Sequence, residues 1–186
     1  MRNLTGVLAV IVLIIVGLAC SDGYETDKVN AMIAEANKFI DTGNESVEKA
    51  SKKYDEYVKK VEAIKSNDDV EKAKNFGKEL FPLYDAMSEN FKKASEKFDE
   101  ASKLKNNPKY KEYLDMKVKE FKIRSDFALE LKKIPQALID SKKKEDYEKD
   151  RDKLKESSDK MLKEAKELGE KAQQFQKDNP NIIKQN

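Results

Sequence analysis

From Val29 to Ile64 the apolar residues recur in alternating steps of three and four: Val29, Ile33, Ala36, Ile40, Gly43, Val47, Ala50, Tyr54, Tyr57, Val61, Ile64. A strand would alternate every second residue, so this spacing can only line one face of a helix. The phase holds across Thr42-Gly43-Asn44, where a loop would have no reason to keep it. The pattern therefore predicts a single helix over about 26–66, with Gly43 inside at a cost near 1 kcal/mol.

Three further trains follow. Val70, Ala73, Gly77, Leu80, Tyr84, Met87, Phe91, Ala94, Phe98, Ala101 and Leu104 mark a second helix over about 69–105. Asp68 is its expected N-cap, with Glu71 three residues on. Pro82 lies within it, and the preserved phase argues for a kink and not a stop. Asn107-Pro108 pairs a capping residue with proline at the first helical position and opens a third helix, about 108–140. Its apolar surface is wider, with one row through Tyr110, Leu114, Phe121, Ala128, Leu131 and Leu138. A second row runs through Tyr113, Met116, Ile123, Phe127 and Ile134. The fourth train, Tyr147, Leu154, Met161, Ala165, Leu168, Ala172 and Phe175, predicts a helix over about 142–178, with 179–186 a frayed tail.

Turns this short make sequential helices antiparallel. Steps near 3.5 residues are the period of coiled-coil-like packing. The expected fold is all-α: an elongated, up-down-up-down four-helix bundle. If the first reversal centres near Asn67, residues whose numbers sum to about 134 lie level. Gly43 then faces Phe91, Ala36 faces Phe98, Ala50 faces Tyr84 and Gly77 faces Tyr57, a large ring against a small residue each time.

Composition narrows the chemistry. Charged residues make up 40% of the chain, yet the formal net charge is only +2. That balance gives no electrostatic footprint for nucleic acid. The chain has no His and one Cys, so metal ligation and acid–base catalysis lack their usual side chains. No cofactor or metal is expected, and no carboxylate falls on the apolar rows. An enzyme is not the expected reading. Lys117 and Arg124 interrupt the first row of helix three at seven-residue spacing. They could line an internal groove for an anionic ligand or lipid headgroup. Equally, their aliphatic stems could cover apolar surface while the heads reach water or a carboxylate. Lys142-Lys143-Lys144 reads as a solvated turn, or as a weak contact for an anionic membrane surface.

The N-terminus is of another kind. One positive charge, Arg2, precedes an uncharged run from Leu4 to Ala19, and Cys20 closes it. The apolar run of about 13 to 16 residues is short of the roughly 20 that span a bilayer, and it has the pattern of a secretory signal. Val16-Gly17-Leu18-Ala19-Cys20 resembles the lipobox of bacterial lipoproteins. Ala19 stands in that family's small-residue place, while Leu18 is one position nearer the cysteine than usual. The resemblance covers about 20 of the 186 residues. It implies removal of residues 1–19, diacylglycerol on the sulfur of Cys20, and residues 20–25 as a tether. Ser21, not being acidic, points within that family to the outer membrane or cell surface.

The resulting expectation is a non-enzymatic cell-envelope lipoprotein, held at a membrane by its lipid. It would act as a structural element or as a docking module for another envelope or host protein. The alternative is a carrier that holds a lipid or small apolar ligand within the bundle, with Lys117 and Arg124 as its cations.

Overall fold

Helix boundaries here follow from local hydrogen bonding. Ser66 is extended (φ −142°, ψ 166°), its hydroxyl accepts from the Asp69 N–H at 3.2 Å, and the Asp69 carboxylate accepts from the Ser66 N–H at 3.1 Å. This reciprocal box makes Ser66 the N-cap, two residues before the expected Asp68. Asn107 caps as its sequence suggests, its side-chain oxygen accepting from the Lys109 N–H at 3.0 Å with Pro108 next in line.

The computed structural model describes residues 24–141 and 144–180. Its helices are α1 (Thr26–Glu62), α2 (Asn67–Lys78), α3 (Phe81–Lys103), α4 (Pro108–Asp140) and α5 (Lys144–Asp178). No strand occurs among the described residues. Residues 1–23, with the expected signal, Cys20 and most of the expected tether, residues 142–143 of the lysine run, and residues 181–186 lie outside them.

α1 runs through Gly43 without interruption and ends at Glu62, four residues early. The second rod is divided, which corrects the single helix read over 69–105. Pro82 has no N–H to offer the Lys78 carbonyl, so α2 ends at Lys78 and two residues intervene. Glu79 (φ −71°, ψ −14°) and Leu80 (φ −78°, ψ −26°) nevertheless stay in the right-handed region. Their N–H groups bond to Phe76 and Gly77 carbonyls at 3.1 Å in a tightened turn. Buried positions therefore continue in phase through Ala73, Gly77, Leu80, Tyr84 and Met87. α2 and α3 act as one arm.

The arms form an antiparallel helical bundle in which α1 packs along α3, α3 along α4, and α4 along α5. Gly43 lies against Phe91, and Gly77 lies against Tyr57 and also Pro135. Both pairs sum to 134, the register expected from the first reversal. α4 is pinned to α3 by buried hydroxyls: Ser88 and Ser125 are 2.9 Å apart, and Ser95 donates to the Val118 carbonyl at 2.9 Å.

α5 keeps the expected train at Tyr147, Ala165 and Ala172 and adds polar positions to its seam. Its buried positions are Tyr147, Ser158, Ala165, Ala172 and Gln176, while Leu154, Met161, Leu168 and Phe175 are half-buried flanks. Small residues on the contact line let its backbone come close to α4. Where α5 meets α1, the hydroxyls of Tyr57 and Tyr147 lie 3.4 Å apart.

At one end of the bundle the start of α1 is fastened to the α3–α4 turn. The Glu25 N–H donates to the Lys105 carbonyl at 3.0 Å, and the Lys105 N–H donates back to the Glu25 carboxylate at 3.2 Å. Tyr110 donates to Asn30 at 3.1 Å, and Lys109 donates to Asn179 at 2.9 Å. The chain's entry, the α3–α4 turn and the close of α5 thus share one end.

Candidate functional site

Lys117, Glu120 and Arg124 stand on one face of α4, three, four and seven residues apart, and their heads converge. Lys117 Nζ donates to Glu120 Oε2 at 2.6 Å. Arg124 reaches Oε1 through Nε at 3.0 Å and through its terminal nitrogen at 2.9 Å. Glu120 is 3% exposed. Both cations also lie against the Phe121 ring, with Lys117 Nζ at 4.8 Å and the Arg124 guanidinium carbon at 5.7 Å from its centroid. Phe121 in turn packs on Phe98 and Phe91, with centroids 5.7 and 5.9 Å away.

The two cations singled out from the sequence are therefore brought together, by a carboxylate that the sequence reading left out. Glu120 corrects the expectation that no acid enters the core. Gly169 of α5 lies against it: a Cβ built there would meet Glu120 Oε1 at 3.1 Å, a tight contact. The signal was available in the spacing, since Glu120 lies three residues from Lys117 and four from Arg124. Apolar rows alone do not register a buried ion pair.

In an ion cluster so deep, desolvation offsets much of the Coulomb attraction. Two cations share one anion, leaving a formal excess of one positive charge. Both cationic heads are engaged by Glu120 and stacked on Phe121. Their geometry is that of a register device between α4, α5 and the aromatic core.

A second polar feature joins α1 to α5. Burial raises the Tyr57 hydroxyl far above its ordinary value, with neighbouring Tyr147 adding to the effect. Tyr54 beside it is pushed up to about 12, first by burial and then by Tyr147. These phenols are neutral structural groups at ordinary pH.

Cys20 lies outside the described residues. Among the described residues no three His, Cys, Asp or Glu side chains are grouped to hold a metal ion, and no helix is long and apolar enough to cross a membrane. No protein-family model, curated protein or solved structure matches the chain.

Proposed function

We propose that this protein is a cell-envelope lipoprotein, anchored through Cys20, whose helical rod serves as a non-enzymatic structural or protein-docking element. The observation that carries the reading is the lipobox-like Val16–Cys20 closing an apolar run only five residues before the bundle begins to be fastened at Glu25. The all-helical rod and its charged outer faces suit a spacer or docking surface. The closure of Lys117 and Arg124 on Glu120 favours this reading over a carrier of an anionic ligand. The partners are the membrane, through lipid, and a second protein of the envelope or of a host. No nucleic acid or cofactor enters.

The docking half is tested by photo-crosslinking in intact cells, with the reactive group placed in turn at exposed positions of α1, α3, α4 and α5. A reproducible adduct to one envelope or host protein from neighbouring positions on one face is expected. Adducts confined to this chain at every position would contradict it.

A further inference from the structure

One side of the bundle is built differently from the others. α1 packs along α3, α3 along α4 and α4 along α5, but α1 and α5 come into no such close packing. The two walls of this fourth seam are also mismatched. One flank of α1 is turned to α2 and α3, where Lys53 meets Glu79, Lys60 lies over Phe76, and Lys93 lies over Phe39. The opposite flank, at seven-residue spacing, is Asn30, Asn37, Asn44, Ser51 and Val58, all half-buried. On α5, Gly169 turns one flank to Glu120 of α4. Its other flank is Tyr147, Leu154, Met161, Leu168 and Phe175, and Tyr147 meets Tyr57 of α1. A row headed by neutral amides thus runs past an apolar row. Among the described residues, the buried side-chain polar atoms without a hydrogen-bond partner are Asn44 Oδ1 and Gln176 Nε2. The first belongs to the α1 wall of this seam and the second to α5 itself.

We propose that α5 is a detachable cover: it leaves the bundle as a unit, starting at the α1–α5 seam, while α1 to α4 stay packed. α5 lies close on α4, but through Ser158, Ala165 and Ala172, whose small side chains bury little apolar area. Its bulky residues Leu154, Met161, Leu168 and Phe175 are only half-buried. Departure returns both unpaired amide atoms to water and removes the cost of burying them. What stays behind is self-sufficient. Phe91 keeps its contacts with Gly43 and Phe121, and Phe98 keeps Phe121, all within α1, α3 and α4. Lys117, Glu120 and Arg124 all belong to α4, so their pairing survives. α5 is tied by polar side chains at its two ends, Tyr147 to Tyr57 at 3.4 Å and Asn179 to Lys109 at 2.9 Å. Once detached, its helix loses the packing that supplies most helical stability, and its backbone amides open to solvent.

The test is native-state hydrogen exchange of the full chain, read peptide by peptide by mass spectrometry. Amides of residues 158–172 are expected to exchange at least about tenfold faster than those of 84–98 and 114–128. Two variants separate a departing helix from a chain that opens all at once. Phe91→Leu weakens contacts that α1, α3 and α4 keep when α5 is away. Exchange in 84–98 should therefore quicken about tenfold while exchange in 158–172 holds. Asn44→Leu removes the unpaired amide and gives the apolar row of α5 an apolar neighbour, so exchange in 158–172 should slow about tenfold. Equal exchange in α5 and α3 of the parent would overturn the proposal, as would quickening of both together in Phe91→Leu. An Asn44→Leu chain whose α5 exchanges as in the parent would remove the seam from the account. None of these readouts depends on lipid at Cys20, so the anchor reading stands or falls separately.

Discussion

The edge of the Phe91 ring occupies the space in which a side chain at Gly43 would begin. A Cβ built on Gly43 lies 2.7 Å from Phe91 Cε1 and 2.9 Å from Cδ1. Phe91 cannot easily give way, because it is fully buried and rests on Phe121. Gly43→Ala gains about 1 kcal/mol of helix propensity, but overpacking costs about 1–3 kcal/mol. Gly43→Leu gains nearly the same propensity but puts a larger side chain into the same space, and falls at the upper end of that cost. Chemical denaturation should show both variants less stable than the parent, Leu the more so. Phe91→Leu should rescue part of the Gly43→Ala loss, since the two positions touch and their effects are not additive. Unchanged midpoints for both single variants would remove the contact from the account.

The Lys117–Glu120–Arg124 cluster makes the opposite demand. Glu120→Ala strands two half-buried cations and should cost about 3 kcal/mol. Replacing all three by Met removes the desolvation along with the attraction, and should be neutral or stabilising by about 1–4 kcal/mol. Equilibrium unfolding of the two variants checks both. A triple variant as damaged as Glu120→Ala would mean the charges do more than close on one another.

Gly169 should behave conditionally. In the parent, Gly169→Ala crowds a carboxylate held from two sides and should lower stability by about 1 kcal/mol. In a Glu120→Ala background the space is empty, and the same change should raise stability by up to about 1 kcal/mol through helix propensity. The sign of the effect, read by thermal unfolding in the two backgrounds, is the result that matters. The same sign in both would break the link between Glu120 and Gly169.

Stability should fall on the alkaline side. Burial raises the hydroxyl of Tyr54 to about 12, and those of Tyr57, Tyr84, Tyr110 and Tyr113 are also raised. The unfolded chain releases these protons near pH 10 while the folded chain keeps them. The contribution is therefore complete below pH 10, and is lost as pH rises through 10 to 12 and beyond. Tyrosinate absorbance and helical circular dichroism, followed in one titration, should change together above pH 10. Full ionisation near pH 10 with helicity intact would contradict the burial of these rings.

The helices and their register were legible because each apolar step repeats the same physical requirement, a greasy stripe on a rod. Gly43 and Gly77 could be paired with Phe91 and Tyr57 from numbering alone, since a short turn fixes which residues lie level. The break at Glu79–Leu80 was not legible as a break. Pro82 announces a missing hydrogen bond, but the lost turn keeps right-handed backbone and so keeps the phase. The apolar train of α5 was legible through Tyr147, Ala165 and Ala172, but the polar members of its seam were not. Ser158 and Gln176 are buried and Gly169 lies against Glu120, and a hydrophobic pattern gives such positions no weight. Lys117 and Arg124 were visible as cations on an apolar row, whereas their shared anion was not.

The central claim is that lipid on Cys20 holds this rod at a membrane, and the intact mass of the chain extracted from membranes tests it most directly. The account expects a polypeptide that begins at Cys20 and is heavier by a thioether-linked diacylglycerol, with residues 1–19 absent. A chain that keeps those residues, that begins elsewhere, or that carries a free thiol at Cys20 would contradict it.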